Sequence, residues 1–157
     1  MNVIEYKLVV NDHVIYSDIL SLLQDTDEDF VPSLSSKFDL KEIAKKYVLK
    51  AHLYVAYVDK NPAGLVTFYI NRGSASYLSL IAVKSKYRGL HIGKNLEMKC
   101  IEYCKSEKSK GLMVNMRKSN SRLLDARMAL GYSITNEYKL KYSDEIIVDL
   151  YLDFCNE

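Results

Sequence analysis

Between residues 75 and 118 the chain reads as a strand-like stretch, ASYLSLIAV, a glycine-bearing loop, KSKYRGLHIGKNL, a helix, and a second strand-like stretch, GLMVNMRK. This order constrains the fold more than any other feature. The helix carries Leu96, Cys100, Ile101 and Cys104 at the spacing of one buried face. In the strand that follows, Leu112, Val114 and Met116 alternate with other residues, the pattern of a strand with one buried side. Ser119 and Asn120 are cap residues for a further helix, SRLLDARMAL, which Gly131 terminates. Such a unit is incompatible with a helical bundle, and its surroundings lack the repeated strand-helix alternation of a doubly wound Rossmann sheet.

The remaining elements follow from local signals. VIEYKLVV (3 to 10) reads as a strand, and IYSDILSLLQ from Ile15 has helical apolar spacing until DTDEDFVPSLSS interrupts it. Asp39 is an N-cap with Glu42 three residues on, predicting a helix to about Lys50. HLYVAYV (52 to 58) and GLVTFYI (64 to 70), separated by DKNPA, predict an antiparallel hairpin. YSITNEYKL and EIIVDLYLDF are two final strands. The expected architecture is α+β, or mixed α/β, with about seven mostly antiparallel strands and about four helices.

With 157 residues, no internal repeat and no linker composition, residues 1 to 157 are expected to form a single domain. Hydrophobic residues make up 48% of the chain, with only 6 Gly and 2 Pro, which excludes disordered and low-complexity classes. The apolar runs are short, and Glu5 and Lys7 precede any signal-peptide hydrophobic region, so a soluble, cytoplasmic protein without membrane association is expected. Three cysteines without Cys-x-x-Cys or Cys/His spacing read as reduced packing residues, and no metal site is expected.

Charge is unevenly distributed. Lys84 to Arg127 holds 12 basic and 4 acidic side chains, whereas residues 1 to 29 hold seven acids and one lysine. A nucleic-acid binder would show a larger overall cationic excess, so no nucleic-acid partner is expected. A compact polyanion fits a local excess better, although solvated helix faces would give the same count. The loop RGLHIGK sits where a strand meets a helix N-terminus, and such a loop offers backbone N–H groups and a positive dipole end to an anion. It is neither a Walker loop nor a dinucleotide fingerprint.

The order LSLIAVKSKYRGLHIGKNL, helix, strand ending MRKSN, helix ending ALGY resembles the Gcn5-related N-acetyltransferase superfamily. Its loop form [RQ]-x-x-G-x-[GA] is similar to Arg88, Gly89, Leu90, His91, Ile92 and Gly93, with His91 where a glycine is commonest and tolerable there if φ is negative. A second signature, N-x-x-A-x-x-L-Y-x-K-x-G-[FY], resembles the segment from Asn120 to Gly131-Tyr132, with Leu123 at the alanine and Arg127 at the tyrosine that often acts as general acid. The resemblance is strong over 52 to 132 and weak before 52.

The resemblance implies a sheet splayed at its centre and acetyl-CoA as cosubstrate. It implies backbone contacts to pantetheine near Ile81 and Val83, the pyrophosphate on Arg88, Gly89, Leu90, His91, Ile92, Gly93 and Lys94, and a further contact from Asn120. It also implies acetyl transfer to a primary amine of a small molecule, an amino sugar or a polyamine, by direct attack in a ternary complex. Acetylation of a protein N-terminus or lysine, and a non-catalytic acyl-CoA-binding module, are the alternatives; a homodimer is left open. Arg127 is the catalytic candidate. Arginine keeps its proton and cannot be a general acid, but it can stabilise a departing thiolate; alternatively it turns outward to pair with Asp125 or a CoA phosphate. No general base is identified: Asn115 stands where related N-terminal acetyltransferases often carry a glutamate, and His13, His52 and His91 read as surface or turn residues. Tyr77 and Tyr138 are candidates to face the cleft. Asp25, Asp27, Glu28 and Asp29 would either attract a cationic acceptor or form a solvated loop.

Overall fold

The computed structural model describes residues 2–30, 32–141 and 143–155. Among them are seven strands and four α-helices: β1 Ile4–Val10, α1 Tyr16–Thr26, α2 Leu40–Lys50, β2 His52–Val58, β3 Asn61–Tyr69, β4 Ala75–Val83, α3 Ile92–Ser106, β5 Gly111–Arg117, α4 Ser121–Leu130, β6 Ser133–Lys139 and β7 Ile146–Asp153. The mixed α+β class and the element order agree with the sequence reading. The chain divides into two compact units, residues 1–69 with 78–102 and residues 70–77 with 103–157.

In the first unit the strand order is β1-β2-β3 followed by the end of β4. β1 and β2 are antiparallel, from Ile4 opposite Val58 to Val10 opposite His52. The β2–β3 hairpin is tighter than the sequence suggests, because Asp59 and Lys60 alone make the turn, with φ of 48° and 69°. Two successive left-handed residues match the twist of a two-residue hairpin. Asn61 and Pro62 therefore lie within β3, and a register shift between Ala56 and Tyr57 accommodates them. The core gathers Ile19, Leu22 and Leu23 of α1, Ala44 and Val48 of α2, and Leu53, Val55, Leu65 and Leu80 of the strands. Asp39 caps α2, its carboxylate accepting from the Lys41 N–H at 2.9 Å. Glu42 pairs with Lys45 rather than reaching back to the cap.

In the second unit the start of β4 pairs parallel with β5 over Ala75–Tyr77 and Gly111–Met113. The order continues β5-β7-β6, so the last strand of the chain inserts between two earlier ones. β5 and β7 run antiparallel from Gly111 opposite Asp153 to Arg117 opposite Ile147. Leu112, Val114 and Met116 are buried, as their alternation predicts. Gly111 lies under the Tyr151 ring, and a Cβ there would push the far end of that side chain aside. Asn120 caps α4, and Gly131, at φ 111°, closes it with its N–H directed to the Arg127 and Met128 carbonyls.

Candidate functional site

The glycine loop lies in the first unit. At the end of β4 the Lys84 N–H donates to the Ala63 carbonyl at 2.9 Å. Gly64 allows this approach, because a Cβ there would stand 2.9 Å from the Ala82 carbonyl oxygen. After a short 3-10 turn, Ser85–Tyr87, the chain is extended at Arg88, left-handed at Gly89 (φ 84°) and left-handed again at His91 (φ 60°). The negative φ that would make a side chain tolerable at His91 is therefore not met. Its carbonyl must accept the first helical bond, from the Asn95 N–H at 3.0 Å, and the turn reaches that geometry through a left-handed residue. Glycine would take this conformation freely; a side chain raises its cost by roughly 1–2 kcal/mol.

The first-turn N–H groups of α3 have no intrahelical acceptor and point out of the helix start. With Arg88 extended and Gly89 and His91 both left-handed, the chain turns sharply into the start of α3. Beside Gly93 a Cβ would meet only the Val83 methyl, at 3.7 Å. Arg88, His91 and Lys94 are exposed, while Ile81 and Val83 are half-buried on β4. The loop can therefore hold a pyrophosphate with backbone donors and nearby cations, which is the chemistry a CoA phosphate group needs.

Two of the cations around this loop are already engaged. Arg88 Nη2 lies 2.6 Å from Asp29, and Lys84 Nζ lies 3.0 Å from Asp25 and 3.5 Å from the Ser21 hydroxyl. Asp27 is buried, accepting from both the Ser35 hydroxyl and the Ser35 N–H, and these bonds hold its carboxyl below the usual aspartate range. Of the four acids read as a trap for a cationic acceptor, Glu28 is left without such a role. The stretch instead folds back on the basic loop and neutralises part of it.

In the second unit Asn120 is exposed, and its side-chain oxygen faces the Leu123 N–H at 3.4 Å, leaving its NH2 group for an outside acceptor. Arg127 is only 2% exposed. The outward-turning alternative is therefore wrong, because the last turn of α4 directs this side chain inward. Asn115 is exposed on β5, and its Nδ2 donates to the Tyr77 hydroxyl at 3.3 Å. Opposite Asn115 on β7 stands Asp149. Burial, with the Asp149 carboxylate second, pushes the Tyr138 phenol above its ordinary value. Sequence reasoning had picked out Tyr77, Asn115 and Tyr138 separately and missed Asp149. The available signal was a lone acid in the middle of the apolar strand IIVDLYLD. His13 is exposed in a 3-10 turn, and the His52 ring packs near that of Phe68, so neither sits with the loop.

Among the described residues no helix is long and apolar enough to cross a membrane. The model of the acetyltransferase (GNAT) family matches residues 18–132, extending the resemblance back into α1. Curated protein sequences give no significant match. A protein from Bacillus anthracis assigned as a streptothricin acetyltransferase, solved with acetyl coenzyme A, is 25% identical at a TM-score of 0.61, over 70% of this chain and 67% of its own. The ribosomal-protein-S18-alanine N-acetyltransferase of Escherichia coli superposes with a TM-score of 0.76 at 16% identity, over 98% of this chain and 94% of its own. A GCN5-related N-acetyltransferase from Kribbella flavida gives 0.78 at 12% identity, over 96% and 98%.

Proposed function

The chain belongs to the acetyltransferase (GNAT) family and is an N-acetyltransferase that draws on acetyl-CoA, and from that premise we propose that its acceptor is the primary amine of a small molecule, of the amino sugar or polyamine type, with residues 1–157 acting as a single acetyltransferase domain. Acetyl-CoA supplies an acetyl thioester whose C–S bond is exchanged for the amide bond of the product. The observation that carries the reading is the tight turn into α3, with Gly89 and His91 left-handed just before the helix N-terminus. Arg88 to Lys94 would hold the pyrophosphate there by backbone N–H groups. The backbone of Ile81 and Val83 would pair with pantetheine amides, and the free NH2 group of Asn120 would add a donor.

Direct transfer without an acyl-enzyme agrees with Cys100 and Cys104, which are fully buried on α3, whereas Cys155, also read as a packing residue, is exposed after β7. A small-molecule acceptor is supported by the streptothricin assignment of the 25% identical protein. Against a ribosomal-protein acceptor stands Asn115, an amide that cannot remove a proton.

Thermal unfolding with 1 mM acetyl-CoA tests the cofactor site, comparing the parent with Gly93→Asp. A Cβ at Gly93 has room, and an acid in the first helical turn favours the helix. The variant should fold at least as well yet lose the stabilisation, because its carboxylate opposes the pyrophosphate. Thiol release with spermidine, glucosamine, streptothricin and a free N-terminal peptide tests the acceptor. Release with the peptide alone would favour the protein-acetylating alternative. Stabilisation without release from any amine would favour an acyl-CoA-binding module.

A further inference from the structure

The exposed face of the second unit's strands carries a polar group that the cofactor site does not use. Residues directly opposite across an antiparallel pair share a face, so Asn115 and Asp149, which are cross-strand partners, project together. Tyr138 is opposite Ile147, two residues from Asp149, and so stands diagonal to the carboxylate on the same face. Tyr77 reaches this face from β4, accepting from Asn115 Nδ2 at 3.3 Å. Asn136 on β6 is the other direct partner of Asp149, so the group is a carboxylate flanked by two amides and two phenols. Its members are spread over β4, β5, β6 and β7, and no two are neighbours in sequence.

The charge of this group is unbalanced. Among the described residues Asp149 makes no ion pair. The nearest cation along β5 on this face, Arg117, is directed to Glu145 at 3.8 Å, and Lys118 is paired with Glu137 at 2.6 Å. Tyr138 feels the carboxylate, which together with burial holds its phenol protonated. A protonated phenol can donate to one oxygen of Asp149 while leaving other lone pairs on the carboxylate free. Tyrosine rings and a carboxylate together suit an alkylammonium ion, which gains both charge-assisted hydrogen bonds and cation–π attraction.

We propose that Asp149, bracketed by Tyr138 and by the Asn115–Tyr77 pair, is the subsite that binds the ammonium group of the acceptor and selects primary amines over neutral analogues. The proposal rests on the small-molecule amine reading above and assigns that acceptor its anchor. Asp149 acts here as a binding group. Its carboxylate holds the cation, the Asn115 amide and the Tyr77 phenol contact neighbouring polar atoms of the acceptor, and together they set specificity.

The experiment uses full-length protein labelled with 13C at Asp and Tyr, titrated with n-butylammonium chloride and, separately, with n-butanol. The expected result is a saturable shift of the Asp149 carboxyl and Tyr138 ring signals with the ammonium ion only. Asp149→Asn, nearly isosteric, should abolish the Tyr138 response while leaving stabilisation by acetyl-CoA unaltered. With spermidine as acceptor the same variant should raise KM roughly tenfold to a hundredfold and leave the KM for acetyl-CoA unchanged, as expected for loss of a charged hydrogen bond. Equal responses to butylammonium and butanol, or a Tyr138 response that survives in Asp149→Asn, would overturn the proposal. If acetyl-CoA still stabilises the protein in that case, the ammonium subsite fails alone. Failure of acetyl-CoA to stabilise the parent would instead remove the transferase reading beneath it.

Discussion

Arg88 Nη2 and Asp29 Oδ2 lie 2.6 Å apart, joining the loop before α3 to the acidic segment after α1. A phosphate that uses Arg88 must compete with this carboxylate. The pair is well exposed, so it contributes no more than about 1 kcal/mol to stability. Asp29→Asn should therefore unfold almost as the parent does, yet bind acetyl-CoA about two- to fivefold more tightly at low salt, with the gain fading as ionic strength rises. Calorimetric titration at two salt concentrations measures it. Affinity that is unaltered at both would show that Arg88 does not contact the phosphates.

His91 and Gly89 should respond to substitution with opposite signs. Relief of the left-handed strain at His91 outweighs the chain entropy glycine adds to the unfolded state, so His91→Gly should stabilise by roughly 0.5–1 kcal/mol. Gly89→Ala, at φ 84°, should destabilise by about 1 kcal/mol or more. Denaturant titration reads both. A destabilised His91→Gly would mean that the imidazole makes a contact worth more than the strain.

Asp27 gives the fold an acid-sensitive element. Its carboxyl lies below the ordinary value because the Ser35 hydroxyl and N–H bind the ionised form. The unfolded chain thus takes up the proton first as pH falls. The resulting stability is fully present above about pH 4 and is lost as the pH drops through the folded-state value. Between pH 6 and pH 3 the Tm of the parent should fall more steeply than that of Asp27→Asn, which has already lost the contribution. Parallel Tm curves would contradict this.

Arg127 combines burial with the position read as catalytic. Truncation to Ala removes a buried, packed side chain, costing about 2–4 kcal/mol of stability. A stability loss of this size obscures kinetics in the Ala variant, so Arg127→Lys, which keeps the charge, is the informative companion. If Arg127 stabilises the departing thiolate, kcat should fall roughly 10²- to 10³-fold in Arg127→Gln and much less in Arg127→Lys, with acetyl-CoA KM unchanged. A fall in acetyl-CoA affinity alone would make it a cofactor contact. A loss of stability with normal kcat would leave it a packing residue.

The elements of this protein were legible in the sequence because their signals act over a few residues. Asp39 and Asn120 cap the helices that follow them, Gly131 ends α4 in the left-handed region, and the alternation of Leu112, Val114 and Met116 marks the buried side of β5. The glycine loop was legible for the same reason, since strand, loop and helix are contiguous. What remained hidden depends on residues far apart in the chain. Arg88 and Asp29 are 59 positions apart, and no local pattern reveals that the acidic stretch meets the basic loop. The sign of φ at His91 follows from how the turn must enter α3, which composition does not encode. Asp149 looked like an isolated acid in an apolar strand. Only the insertion of β7 between β5 and β6 sets it opposite Asn115 and diagonal to Tyr138. Periodicity fixes which side chains share a face of one strand, whereas pairing between strands decides which faces meet, and that choice is made by the packing of the whole sheet.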